Sequence, residues 1–323
     1  MKALVTGGAG FIGSHIVDEL IRIDYDVVVY DNLSTGFERH LESGSAHDRL
    51  QLVIGDILDY PKLVHSMKDV ELVFHLAANA DVRGGKAKTR VDLQQNIIGT
   101  HNVLEAVRMN EIPELVFTSS ATVYGEPDVF PTPETYAPLQ TSLYGASKLA
   151  AEAMIQAYSE YFGTRSYMFR FVSWIGERYS HGVVYDFIRK LKSNPKELEI
   201  LGDGAQRKSY LHVQDGIRGI FLALEKIHEP KVVLNLGHED FMNVTRLASI
   251  VVEEMGLKDV EFRYTGGSRG WIGDSPFVHL DITKIRSAGF EPQVSIEEGI
   301  RRTARYLLKN DWLLQSRLVG STG

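Results

Sequence analysis

Two short stretches hold the residue types from which chemistry can be built. The first is Ser119-Ser120-Ala121-Thr122-Val123-Tyr124-Gly125; the second, Tyr144-Gly145-Ala146-Ser147-Lys148, begins nineteen residues later. Tyr144 and Lys148 are four apart, so on a helix they share one face, about 6 Å apart along the axis. A free phenol titrates near ~10 and is a poor base at neutral pH. A nearby ammonium stabilises phenolate and lowers that value. A drop of about 3 units corresponds to about 4 kcal/mol, a reasonable demand on a partly buried cation with a second positive charge nearby. The chemistry this spacing offers is proton abstraction by a tuned tyrosine.

Stepping outward, the apolar run Leu115-Val116-Phe117 reads as a buried strand that delivers two serine hydroxyls at its carboxyl end. The second stretch opens a helical pattern that runs to about Phe162. A source for the second positive charge lies at the start of the chain. Lys2 to Thr6 is a short strand that enters Gly7-Gly8-Ala9-Gly10-Phe11-Ile12-Gly13, followed by an amphipathic helix to about Ile23. A glycine loop between strand and helix lets the backbone around Gly7, Gly10, Phe11 and Ile12 approach a pyrophosphate, with the helix N-terminus adding favourable potential. Val27 to Tyr30 is a second buried strand, and Asp31 follows it eighteen residues after Gly13. A carboxylate there accepts hydrogen bonds from an adenosine ribose and repels a 2′-phosphate, which favours NAD over NADP. The oxidised nicotinamide would then be the second cation beside Tyr144.

Residues 32–49 read as a polar loop, 52–54 and 70–76 as the third and fourth strands, and 165–171 as the sixth. The fourth ends at His75-Leu76-Ala77-Ala78, whose small residues suit close passage of backbone past a cofactor; His75 itself reads as structural. Residues 81–89 form a glycine- and lysine-rich substrate-side loop, and 91–110 a helix in which the strand–helix order points Asn96 towards the nicotinamide. Strands alternating with helices specify an α/β fold, a doubly wound parallel sheet with ligand at the carboxyl ends of its strands. Beyond Ser173 the pattern loosens into a smaller mixed α/β half. Its arginines and lysines near glycine turns suit an anionic, diphosphate ligand. The expected division is 1–173 for the cofactor and catalytic residues, 174–318 mostly for substrate with elements interleaved, and 319–323 as a tail.

The balance of 35 Lys and Arg against 42 Asp and Glu, net −7, argues against nucleic acid or an anionic membrane as partner. With no cysteine there is no disulfide, thiolate metal site or cysteine nucleophile. No apolar run approaches a membrane span, and a cytoplasmic protein is the expectation.

Taken together, the glycine loop, Asp31, Ser120 and the Tyr144/Lys148 pair resemble an extended short-chain dehydrogenase/reductase, and more narrowly the NAD-dependent UDP-glucose (UDP-galactose) 4-epimerases. The resemblance runs over nearly the whole chain, through Asp31-Asn32-Leu33, Gly55-Asp56-Ile57, 75–78, Asn96, 201–215 and Gly273-Asp274. It implies that Asp56 and Ile57 flank the adenine, Asp31 and Asn32 the adenosine ribose, and Lys148 the nicotinamide ribose. Ser120 and Tyr144 would hold the 4-hydroxyl of the sugar. Tyr144 would take its proton while C4 gives hydride to NAD, and hydride would return to the opposite face of a 4-keto sugar.

Dehydratases and decarboxylases of this superfamily carry an acidic residue just after the catalytic Ser or Thr; here Ala121-Thr122-Val123 follows Ser120, which favours epimerisation. Three positions depart from the family pattern: Ser173 stands for the usual Asn, Lys208 with Arg207 beside it for the usual Arg, and the run from Arg269 to Asp274 is widened. These are the expected diphosphate contacts. The resemblance further implies a homodimer through helices at 91–110 and 147–162, with Ala150, Ala153 and Ala157 allowing close approach. It also puts Val278 beside the 2-substituent of the sugar. A net NAD-dependent dehydrogenase and a non-catalytic NAD-binding protein are the competing readings.

Overall fold

The computed structural model describes residues 1–42 and 48–316. Residues 43–47 of the loop expected at 32–49, and the tail at 319–323, fall outside the described residues. Six strands alternate with helices in the first half: β1 Lys2–Thr6, β2 Asp26–Asp31, β3 Leu50–Ile54, β4 Leu72–His75, β5 Glu114–Ser120 and β6 Arg165–Phe171. Short strands follow: β7 Ser173–Ile175, β8 Glu197–Ile200, β9 Arg207–Lys208 and β10 Tyr210–His212. Then come β11 Lys231–Leu236, β12 Met242–Asn243, β13 Glu261–Tyr264 and β14 Phe277–Val278. Seven strands join in the order β11-β6-β5-β4-β1-β2-β3, every neighbour parallel. The expected doubly wound sheet is there. One of its two edge strands, β11, comes from the second half of the sequence.

The strands are nearly continuous apolar runs because both faces are covered. Alternation sorts them: Leu4, Val73, Leu115 and Phe117 face one core, Val5, Phe74 and Val116 the other. The first core is completed by Val103, Leu104, Ala151 and Ile155 from two long helices, and the second by Ile16, Val17 and Leu20 of the helix Phe11–Arg22 together with the C-terminal half. Full burial of each such side chain contributes about 1.5–3 kcal/mol. The remaining strands form small sheets, β12-β9-β14, β10-β7 and β13-β8.

The helix that carries Tyr144 and Lys148 spans Leu143–Phe162. Ser142 caps it by accepting from the Gly145 amide at 3.0 Å, and Gly163, at φ 77°, ends it. The helix expected at 91–110 starts earlier, at Thr89–Asp92, and passes through a π turn at Leu93–Ile98 before Gly99–Met109. Apolar periodicity does not reveal a single widened turn.

Candidate active site

A cavity of about 800 Å³ opens at the carboxyl ends of β1, β2, β4, β5 and β6 and is closed over by the second half. Its floor at one end is the glycine loop. Gly7 has φ 72°, and a Cβ there would lie 2.8 Å from the Ala77 amide nitrogen, so only glycine lets this loop touch the end of β4. No side chain caps the Phe11–Arg22 helix at Gly10, which leaves first-turn amides for a ligand. Asp31, buried at the end of β2, accepts from the Ala9 amide at 3.0 Å and the Leu33 amide at 2.8 Å. Burial holds its carboxyl above the usual range, against those two bonds.

Gly7, Gly10, Phe11, Ile12, Asp31, Asn32, Ile57, Leu76, Ala77 and Ala78 all line this end of the cavity. Asp56 does not: it stands behind Asn32, accepting from its amide at 2.9 Å. A glycine cradle, uncapped helix amides and an acid at the far edge together fit a dinucleotide.

Asn96 also lies behind the wall. The π turn rotates it inward, where its Oδ1 accepts from the Asn79 amide at 2.8 Å and its Nδ2 donates to Ser147 Oγ at 2.8 Å and Asp92 Oδ1 at 3.2 Å. It ties the segment that follows β4 to the Tyr144 helix. His75 is structural, as expected: its two ring nitrogens meet Thr6 Oγ1 at 2.9 Å and Thr100 Oγ1 at 3.0 Å. Burial, with the Lys148 charge adding to it, pushes that imidazole down to about 3.

Ser120, Tyr144 and Lys148 converge on the middle of the cavity. Ser120 ends β5 and caps the short turn Ala121–Tyr124. That turn presses on the first turn of the Leu143–Phe162 helix: a Cβ on Gly145 would lie 2.5 Å from the Thr122 carbonyl oxygen. At this contact the Ser120 hydroxyl hydrogen-bonds the Tyr144 phenol. Lys148 donates to the Thr118 carbonyl at 3.0 Å, its ammonium 4.8 Å from the Phe117 ring centre and 5.9 Å from that of Tyr144.

In the chain by itself, without the second positive charge, burial and the Asp92 carboxylate push the Tyr144 phenol up to about 12, opposed by the Ser120 hydroxyl. Burial likewise brings Lys148 down to about 8, against the Glu152 and Asp92 carboxylates. Desolvation of the phenolate and the Asp92 charge together outweigh the Ser120 hydrogen bond.

Behind these residues lies a buried network the sequence did not reveal. Glu152, one turn past Lys148, accepts from Arg170 Nε at 3.0 Å and Nη2 at 2.7 Å, and from Ser119 Oγ. Arg170 also donates to the Tyr124 hydroxyl at 2.9 Å, which donates to Asn235 Oδ1 of β11 at 2.7 Å. Ser119 and Tyr124 flank the Ser120 segment, so the pair fixes that segment against the helix.

On the substrate side Ser173, Lys208, Asp274 and Val278 line the cavity, and Lys208 pairs with Asp274. Arg207 and Arg269, expected beside them, are not in the wall. Neighbouring residues of a strand point to opposite faces, so with Lys208 inward Arg207 is outward, its guanidinium 4.3 Å from the Phe277 ring centre. Arg269 pairs with Glu126 instead. Arg83 of the 81–89 loop, not singled out from sequence, lines the cavity and pairs with Asp186 at 2.8 Å; only the fold brings these two together. Among the described residues there is no cluster of three or more His, Asp or Glu fit for a metal, and no helix long and apolar enough to cross a membrane.

Residues 3–237 match the model of the NAD dependent epimerase/dehydratase family. The chain is 35% identical over 316 residues to a putative UDP-glucose 4-epimerase of Methanocaldococcus jannaschii, covering 95% of this chain and 99% of that one. It is 30% identical to the dTDP-D-glucose 4,6-dehydratase of Mus musculus, over 96% of this chain and 89% of the other. A crystal structure of a UDP-galactose 4-epimerase superimposes with a TM-score of 0.87 at 39% identity, over 97% of this chain and 100% of that one.

Proposed function

The chain belongs to the NAD dependent epimerase/dehydratase family, and on that premise we propose that it interconverts a nucleotide sugar at C4, of the UDP-glucose/UDP-galactose class. NAD, the cofactor of this family, fits the glycine cradle: backbone at Gly7, Gly10, Phe11 and Ile12 for the pyrophosphate, Asp31 and Asn32 for the adenosine ribose, Ile57 beside the adenine. Leu76, Ala77 and Ala78 give it a close-packed wall, and Lys148 holds the nicotinamide ribose. Bound there, it supplies a reversible hydride acceptor and a positive charge.

Tyr144 accepts the O4 proton as C4 is oxidised and returns it when C4 is reduced from the other face. Ser120 keeps O4 within reach of Tyr144. Because the chain alone leaves the Tyr144 phenol high, turnover depends on a filled cofactor site. Lys208, with Ser173 beside the cavity, holds the diphosphate, and the pairing of Lys208 with Asp274 keeps that cation oriented.

The observation that carries this reading over a dehydratase or decarboxylase is the residue set beside Ser120. Among the described residues, the carboxylates in the cavity wall are Asp31, Asp186 and Asp274. The first is bound to loop amides, the second to Arg83 and the third to Lys208. None belongs to Ala121-Thr122-Val123. Purified protein given UDP-glucose should form UDP-galactose to equilibrium with no net NADH; a 4-keto-6-deoxy product, or NADH made in step with product, refutes the proposal.

The helices Gly99–Met109 and Leu143–Phe162 leave Met109, Ala153, Ala157, Tyr161 and Phe162 exposed, joined by Leu93 and Ile98 from the π turn. A second copy of the chain covers this face in the same proposal. Light scattering at micromolar concentration should give a dimer, and a monomer would refute that part.

A further inference from the structure

The hydroxyl of Ser120 has one hydrogen to give and two lone pairs to fill. Thr122 fills both: its amide nitrogen lies 3.2 Å and its Oγ1 2.9 Å from Ser120 Oγ, each as donor. The Thr122 backbone is held in place. Its carbonyl oxygen accepts from the Gly125 amide at 3.1 Å, and the same oxygen is packed against Gly145. Val123 and Tyr124, which follow it, are fully buried.

We propose that Thr122 is a positioning residue for Ser120. By donating twice to Ser120 Oγ, it commits the single Ser120 proton to the Tyr144 oxygen or to O4 of the substrate. The inference rests on the assignment of Tyr144 as the base. A serine hydroxyl free to rotate can equally accept from the neutral phenol, and would then stabilise the wrong protonation state. Held as a donor, it favours phenolate. The hydrogen bond from Ser120 is the one interaction that counteracts burial at Tyr144. Position 122 therefore acts on the proton transfer through Ser120.

The test is a double-mutant cycle. Thr122→Val keeps the shape and the backbone donor but removes the Oγ1 donor. It should lower kcat by roughly ten- to a hundredfold with KM within about threefold, the pattern of an interaction gained in the transition state. The acid limb of its kcat–pH profile should move to higher pH, because a phenolate that loses a donor is harder to form. Thr122→Ser should restore kcat to within about threefold of wild type. In a Ser120→Ala background, Thr122→Val should change kcat by less than about twofold.

An equal loss of kcat in both backgrounds would show that Thr122 acts independently of Ser120. A change in KM alone would make it a direct substrate contact, and wild-type kcat would make it dispensable; each of these overturns the inference. Tyr144→Phe measured alongside separates the two levels. If that variant keeps activity, the base assignment has failed; if it is inactive while Thr122→Val is normal, only the role of Thr122 has.

Discussion

Lys148 and Glu152 stand one turn apart on one helix face, both almost wholly buried, and the chain treats them in opposite ways. Glu152 is completed from within: three bonds from Arg170 and one from Ser119 account for its charge. Lys148 receives one backbone carbonyl and two aromatic faces, and burial brings it down to about 8. Tyr144, one turn earlier, is likewise left with a phenol pushed up to about 12. The contrast separates scaffold from site. Glu152, which holds the fold, is satisfied by the fold, whereas Tyr144 and Lys148 in the middle of the cavity are left for a ligand to complete.

Removing Glu152 should break the scaffold side hardest. Glu152→Ala strands the Arg170 guanidinium in the interior, which costs about 3–5 kcal/mol. The urea midpoint should fall accordingly; a loss below about 1 kcal/mol would mean the network does not hold the two elements together.

Lys148→Met should do the reverse. Lysine held below its ordinary value binds fewer protons in the folded chain than in the unfolded one between about 8 and its ordinary value of 10.5. Wild-type stability therefore rises with pH through that window and carries a desolvation cost below it. The variant should be more stable at neutral pH by about 1–3 kcal/mol, with that rise absent. Its turnover should fall about a hundredfold or more, its residual activity should need higher pH, and it should bind NAD more weakly. A variant equally active, or less stable at neutral pH, would erase the contrast between the two residues.

Specificity should move least. Val278 is a partly buried residue of the cavity wall, on β14 beside Lys208. With valine there, both the UDP-glucose/UDP-galactose and UDP-GlcNAc/UDP-GalNAc pairs should turn over. Val278→Tyr should cut kcat/KM for the acetamido pair by about a hundredfold while sparing the other. Rejection of the acetamido pair by wild type beyond about a thousandfold, with Val278→Tyr changing nothing, would remove Val278 as the gate.

What could be read from sequence follows the same division. The glycine loop and the Tyr144/Lys148 pair are contiguous patterns in which the spacing itself carries the geometry. The partners of Glu152 lie 18 and 33 residues away, on other elements, and no local pattern marks them. Asn96 could be placed near the nicotinamide end, but its inward turn depends on a π turn that periodicity averages out. Lys208 and Arg207 are chemically alike, and only the pairing of β9 with β14 decides which one faces the ligand. The upward push on Tyr144 in the chain by itself was hidden from the sequence for a related reason. The ammonium is visible in the sequence, but the depth of burial and the Asp92 carboxylate are not.

The proposed epimerisation moves a proton and a hydride off C4–O4 and back to them within a closed site. UDP-glucose carrying deuterium at C4, turned over in ordinary water, tests this directly. The product should be UDP-galactose with deuterium still on C4 and no free NADH in solution. Deuterium lost to solvent, or NADH accumulating with product, would contradict it.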